Sequence, residues 1–238
     1  MSRPDSTDAR YRGHDYLAAN PSWDAEDSPW KAGLVRDLLA RHGLRPASVV
    51  DIGCGAGVVL SELRRSLPEA NLVGYDLAPD AQRFWAAHAA LGVTFRVADF
   101  LAEASVYYLA LLLDVIEHVP NPFDFLERMR GRARHVVLHI PLDLSAVSVL
   151  RETPLLHVRR KVGHIHYFTK ALALELMRET GYEVIEASFT GAGLSAPGRT
   201  LRTRLAGLPR RVAALFSRDL AARLPGGETL LVLARSAA

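Results

Sequence analysis

The sequence predicts an α/β fold in which helices cover both faces of a mainly parallel sheet. Apolar, β-branched runs alternate with helix-patterned stretches, acidic residues follow several of these runs, and a glycine-rich turn joins the first run to a helical stretch. Continuous apolar runs are typical of strands buried on both faces. Their alternation with helical stretches favours parallel pairing, because a parallel connection needs a crossover helix.

Length and composition narrow the class of protein. The 238 residues suit one large domain, and the 49% of apolar residues can form a sizeable core. No run approaches the ~20 apolar residues of a membrane span, and the start of the chain is polar. Cys54 is the only cysteine, so we expect a cytoplasmic protein without internal disulfides. The net charge of +3 gives little support for nucleic acid, so the expected partner is a small molecule.

The N-terminal residues 1–45 are predicted to form a lid followed by a helix. Ser28 is a typical N-cap with Pro29 at the first helical position, and Gly43 ends the helical pattern. The remaining residues, 46–238, are predicted to form the main domain. Two insertions on its substrate side are predicted near 142–166 and 191–227.

Seven apolar runs in this main domain are predicted as strands. They cover 48–52, 71–77, 93–98, 106–113, 135–140, 182–189 and 228–234. Helical patterns between them lie at 59–67, from Pro79 to about Gly92, after Pro122, and from Thr169 to Gly181. Residues 142–163 are predicted as loop or short helix.

The turn after the first strand carries three glycines at alternate positions, Gly53, Gly55 and Gly57. Glycine has no Cβ, so the backbone there can adopt unusual dihedral angles and approach a ligand closely. Such a ligand would contact the amides that open the next helix. The dinucleotide fingerprint needs a glycine at position 58, where this chain has Val58. This argues against a nicotinamide-dependent oxidoreductase; the other alternative is a turn without a ligand.

Acidic residues lie at the ends of the first three predicted strands, at Asp51, Asp76 and Asp99. In open α/β sheets, ligands lie beyond the carboxyl ends of the strands. An ionised carboxylate has two acceptor oxygens, so Asp76 can accept hydrogen bonds from both hydroxyls of a ribose. We expect Asp99 to face the amino group of an adenine, with Phe100 near the ring.

Four segments in this order resemble class I S-adenosylmethionine (SAM) dependent methyltransferases of the ubiquinone-biosynthesis-like group. They are Val-Val-Asp-Ile-Gly-Cys-Gly-Ala-Gly, Gly-Tyr-Asp-Leu, Val-Ala-Asp-Phe and Leu-Asp-Val-Ile-Glu-His-Val-Pro-Asn-Pro. The resemblance implies a seven-stranded Rossmann-like sheet with an antiparallel last strand, and SAM as cofactor. The cofactor-binding residues that it implies are Asp51, Gly53, Cys54, Gly55, Asp76, Leu77, Asp99, Phe100 and Leu113, with Trp30 and Tyr16 in the lid.

The fourth segment also resembles the Glu-x-x-Glu-His metal motif of metal-assisted methyltransferases. If a helix begins there, Asp114, Glu117 and His118 lie on one face. Because aspartate replaces the first glutamate of the motif, its side chain is one methylene shorter, and we expect no metal. Alternatives are a metal-assisted RNA 2′-O-methyltransferase and a non-catalytic SAM-binding protein.

A hydroxyl acceptor would benefit from a general base, and histidine titrates in the required pH range. The candidate catalytic residues are His118, His139 and His166, with His118 placed first because it follows the fourth strand. The sequence therefore predicts methyl transfer from SAM to an oxygen or nitrogen of a small molecule.

Overall fold

The protein is described by a computed structural model that covers residue 23, residues 25–191, residue 213 and residues 215–236. Its seven strands form one sheet in the order β3-β2-β1-β4-β5-β7-β6. The strands are β1 Ser48–Ile52, β2 Asn71–Asp76, β3 Val93–Val97, β4 Tyr107–Leu113, β5 Ala133–Leu142, β6 Tyr182–Phe189 and β7 Glu228–Ser236. Strands β1 to β5 pair in parallel, whereas β7 is antiparallel to both β5 and β6. The predicted fold class, including the antiparallel last strand, is confirmed.

Eight α-helices are described in the same part of the chain. They are α1 Ser28–Arg41, α2 Val58–Arg64, α3 Ala86–Ala89, α4 Pro122–Met129, α5 Ala146–Arg151, α6 Thr153–Lys161, α7 Lys170–Glu179 and α8 Arg218–Arg223. None of the helices in the described ranges is both long enough and apolar enough to span a membrane. The expected cytoplasmic location stays a prediction.

The core lies on both faces of the sheet, which explains the continuous apolar strands. Helices α1 and α2 pack on one face through buried residues such as Leu38 and Leu60. Helices α4, α7 and α8 cover the other face, where Leu126 and Met177 are fully buried. Central strand β4 is apolar along most of its length because both of its faces are covered.

Two predicted helices differ in detail from the structure, whereas the segment after β5, predicted as loop or short helix, does contain short helices. Helix α1 includes Ser28, and its N-cap is Asp27 at the end of a short 3₁₀ turn, so the predicted cap is one residue late. The predicted helix that follows β2 divides into a 3₁₀ helix, Pro79–Phe84, and the short α3. The insertion after β5 folds into α5 and α6, which meet at Glu152 in a left-handed conformation (φ +53°).

Strand register brings the candidate residues to one edge of the sheet. Leu113 at the end of β4 pairs with His139 on β5, and Ile52 at the end of β1 pairs with Tyr75 on β2. Strands β1 and β4 also pair with each other, so their carboxyl ends lie side by side. The start of α1 lies over this edge of the sheet. Most of the predicted lid, including Tyr16, and most of the second predicted insertion lie outside the described residues.

Candidate functional site

A cavity of about 350 Å³ opens at the carboxyl edge of the sheet. Its walls come from the turn after β1, the ends of β4 and β5, the start of α1 and the segment after α6. The predicted site residues that line it are Trp30, Asp51, Gly53, Cys54, Gly55, Leu113, His118 and His139. The structure thus brings together Asp51, the glycine turn and two of the three candidate bases.

The glycine turn after β1 is a left-handed backbone corner. Gly53, Gly55 and Gly57 have φ angles of +74°, +52° and +80°, which side chains rarely adopt. A Cβ on Gly55 would lie 2.7 Å from the ring of Trp23, so a residue preceding α1 packs directly on the corner. The indole of Trp85 donates to the Gly55 carbonyl at 2.8 Å. The corner is held from both sides by aromatic side chains.

Asp51 and Cys54 are the buried polar residues of this corner. Burial and the charge of Asp76 raise the pKa of the Asp51 carboxyl to about 8, although Lys31 opposes the shift. Burial also raises the pKa of the Cys54 thiol, which packs against Gly74. Asp51 is therefore poised to accept a cationic group, whereas Cys54 is an inert packing residue.

Asp76 accepts backbone hydrogen bonds that hold the glycine corner in place, and it also faces that corner. Its two carboxylate oxygens accept the backbone N–H groups of Gly55 and Ala78, each at 2.8 Å. Ionised oxygens retain further acceptor capacity, so a ribose contact remains open to Asp76. Leu77 beside it is 36% exposed.

The predicted adenine contacts are placed differently. The Asp99 carboxylate accepts the N–H of Leu101 at 2.9 Å and caps a short 3₁₀ helix, outside the cavity. The Phe100 ring is 2% exposed and packs edge-on against Tyr75 in the core, which corrects its expected place beside the adenine. Phe100 is apolar and follows a strand, so the sequence could not distinguish a core ring from a ligand contact.

The segment after β4 is a turn rather than the helix that the metal motif would need. Asp114 has a φ of +58°, and its carboxylate points to neighbouring elements. Oδ1 accepts from His139 Nδ1 at 2.6 Å, and Oδ2 pairs with Lys31 Nζ at 2.7 Å. Although burial opposes the shift, the charges of Lys31 and His139 hold the pKa of the Asp114 carboxyl well below its usual value. Asp114 does not share a face with Glu117 and His118.

A second cluster does gather possible metal ligands. One ligand atom from each of Glu117, His118 and His164 lies within 4.8 Å of the others. Both Glu117 carboxylate oxygens are buried without a hydrogen-bond partner, and burial raises the pKa of this carboxyl well above its usual value. His118 Nδ1 donates to the Gly163 carbonyl and His164 Nδ1 donates to Asp143, at 3.1 and 2.6 Å. Such outer partners direct both Nε2 atoms toward Glu117, as in metal sites.

The third candidate base does not lie in the cavity. His166 Nε2 contacts the Pro120 carbonyl at 3.3 Å and does not line the cavity, so its predicted catalytic place is not supported.

Sequence reasoning missed Trp23, Lys31 and Asp143. These residues come from segments far from the motifs, and the chain offers no local signal for their contacts.

Comparisons with known proteins agree with this geometry. A family model described as "Methyltransferase domain" matches residues 28–187. The ubiquinone biosynthesis O-methyltransferase of Azorhizobium caulinodans is 36% identical over 141 residues, which are 53% of each chain. The enzyme of the same name from Roseobacter denitrificans is 26% identical over 63% of this chain and 66% of its own. The matched region thus spans about half to two thirds of these relatives.

Solved structures show the same fold. The plantazolicin methyltransferase BpumL in complex with S-adenosylhomocysteine (SAH) aligns with a TM-score of 0.64 at 17% identity, covering 98% of this chain and 95% of the other. The magnesium protoporphyrin IX methyltransferase of Synechocystis PCC 6803 with bound SAH aligns at 0.58 and 16% identity, over 88% of this chain and 83% of the other.

Proposed function

Because this chain belongs to the class I methyltransferase family, we propose that it transfers a methyl group from SAM to an oxygen of a small molecule. The glycine corner after β1 carries the proposal, because it joins Asp51 and the backbone of Gly53 and Gly55 to a cavity that contains histidines. The names of the ubiquinone O-methyltransferases favour oxygen over nitrogen as the acceptor atom.

In this proposal Asp51 pairs with the ammonium of the methionine end, and Gly53 and Gly55 allow close approach of the backbone. Asp76 accepts from the ribose, with Leu77 beside it, and Leu113 offers its backbone near the sulfonium. Trp30, which meets the His139 ring at right angles 5.7 Å away, closes the acceptor side. SAM supplies an activated methyl group, so the residues of this chain mainly align the acceptor.

The cluster of Glu117, His118 and His164 fits a divalent cation, contrary to the sequence expectation of no metal. A buried carboxyl group without a partner is costly, and a cation bound by this oxygen and two Nε2 atoms would remove that cost. His118 and His164 also line the cavity, so the site has an open side toward the acceptor. A bound metal would act as a Lewis acid on an acceptor oxygen. In this arrangement His118 is a ligand rather than the base.

Titration calorimetry with SAH and with NADH tests the cofactor proposal. We expect micromolar or tighter binding of SAH, whereas NADH should show no binding, because a pyrophosphate has no place beside Asp51. Binding of NADH but not SAH would reverse the assignment. A turnover assay then separates an enzyme from a non-catalytic SAM-binding protein.

Titration with Zn²⁺ and Mn²⁺ tests the metal site. Glu117→Gln should weaken the binding of the preferred ion at least tenfold, whereas Glu175→Gln, at an exposed position of α7, should not. Equal affinity in both variants would exclude Glu117 as a ligand. Activity on RNA, with the steep salt dependence of phosphate contacts, would favour the RNA alternative.

A further inference from the structure

We propose that His139 is the general base of the reaction and that Asp114 is its positioning residue. This inference rests on the proposed methyl transfer to oxygen. It selects one of three candidate histidines and gives Asp114 a role that differs from that of a metal ligand.

The Asp114 carboxylate fixes the position of the proton on the His139 imidazole ring. The Asp114 carboxylate is held ionised by its partners, and an ionised carboxylate only accepts hydrogen bonds. The 2.6 Å contact therefore requires a proton on His139 Nδ1. In the neutral ring, Nε2 then has no proton, and its lone pair can accept one from the acceptor hydroxyl.

The other ring nitrogen of His139, Nε2, makes one long contact. It lies 3.4 Å from the hydroxyl of Thr190, a long contact, and that hydroxyl has another acceptor in the Thr229 carbonyl at 3.3 Å. His139 and Thr229 both line the cavity, so the ring faces the space left for an acceptor. The ring itself is 3% exposed, and its orientation is fixed by Asp114 and the edge of Trp30.

Asp114, the unusual aspartate of the motif, has a backbone conformation that suits this role. The left-handed backbone at Asp114 turns its short carboxylate toward β5 and α1, where it meets His139 and Lys31. Non-glycine residues rarely adopt a left-handed conformation, and those that do cluster at functional sites. The missing methylene is thus explained by the pair with His139, while Glu117 and His118 find a third partner in His164.

Methyl transfer to the acceptor hydroxyl yields a methyl ether, SAH and a proton. A lone pair of the acceptor hydroxyl oxygen forms the new C–O bond as the C–S bond breaks, and the electron pair of that bond stays on sulfur to give SAH. The hydroxyl proton moves to His139 Nε2, and water removes it after product release. The other titratable or charged groups that face this cavity are Asp27, Lys31, Asp51, His118 and His164.

The test uses the full chain with SAM and 3,4-dihydroxybenzoate as the acceptor probe. His139→Gln should lower kcat by about 10²–10⁴-fold and remove the rising limb of the pH profile of kcat. Asp114→Asn should lower kcat to a similar degree with little change in the KM for SAM, because the amide permits the wrong ring tautomer. His157→Gln, at an exposed position of α6, is the matched control and should change neither quantity.

A second measurement keeps the failures distinct. Long-range ¹H–¹⁵N spectra should show an Nδ1–H ring signal that is lost in His139→Gln and altered in Asp114→Asn, whereas the Nδ1–H signals of His118 and His164 remain in both variants. An Nε2–H tautomer or a retained pH limb in His139→Gln overturns the inference. If SAH does not bind the wild type, the proposed function has failed. If SAH binds but the probe is not methylated, the tautomer of His139 tests the inference: Nδ1–H supports it and Nε2–H overturns it.

Discussion

At the scale of single residues, Asp51 shows how burial can prepare a binding group. Its pKa of about 8 means that most of the carboxyl is protonated at pH 7 before a ligand arrives. An incoming ammonium favours the ionised form, so binding must release a proton below this pH.

We therefore expect the affinity for SAH to rise by up to about tenfold per pH unit between pH 6 and 8, and to level off above pH 8. Calorimetry in buffers of different ionisation enthalpy measures both the affinity and the proton released. Asp51→Asn should bind more weakly and lose this pH dependence. A flat affinity in the wild type would show that Asp51 is already ionised.

Residues also show where sequence reasoning reaches its limit. The glycine corner and Asp51 were predictable because their chemistry is local to one motif. The partners of Asp114 were not, since Lys31 and His139 come from other elements and meet it only after folding. Phe100 was misplaced for a related reason, because an aromatic ring after a strand suits both a core and a ligand.

At the scale of elements, the βα corner between β1 and α2 depends on the absence of side chains. Gly57 has a φ of +80°, and a Cβ there would lie 2.5 Å from the ring of Phe95. Phe95 stacks on Trp85 with ring centroids 5.1 Å apart, so the ring has little room to move. Gly131 has the same φ, but nothing lies within 4 Å of its Cβ position.

These two glycines form a matched pair for a stability measurement. Gly131→Ala should lower the free energy of unfolding by about 1–2 kcal/mol, the cost of a left-handed alanine. Gly57→Ala should cost about 1–3 kcal/mol more, because it also overpacks the corner. Urea denaturation of both variants measures the difference in their free energies of unfolding. Equal losses of stability would mean that the Phe95 ring moves aside without a penalty.

Strands and helices were predicted accurately where burial determines the hydrophobic pattern. They were predicted less accurately where capping residues determine the ends of an element. The central strands of the parallel sheet were predictable because both of their faces are covered and most of their residues are apolar. The division of the helix after β2 was not predictable, because no glycine or proline marks the boundary between the 3₁₀ helix and α3. The first of the two short helices after β5 begins with a capping box of Ser145 and Ser148, a signal that sequence reasoning did not use to choose between loop and short helix.

At the scale of the whole molecule, the cavity lies where α1, the sheet edge and the segment after α6 converge. A ligand that bridges these parts should stabilise the folded state as a unit. At an SAH concentration about 100 times Kd, the expected gain is about 2.7 kcal/mol.

For a domain of this size the gain corresponds to a rise in Tm of about 5–10 °C. A thermal shift series with SAH measures it, and adenosine, which lacks the amino-acid end, should give a much smaller rise at the same concentration. An equal rise with adenosine would remove Asp51 and the glycine corner from the binding site.

All three tryptophans of the chain surround this one cavity. Trp23 and Trp30 form part of its wall, and Trp85 is hydrogen-bonded to the glycine corner beneath it. The protein therefore carries its own optical reporter: intrinsic emission should change whenever the cavity fills, without a label and without turnover, and replacing each indole in turn would show which wall the occupant touches.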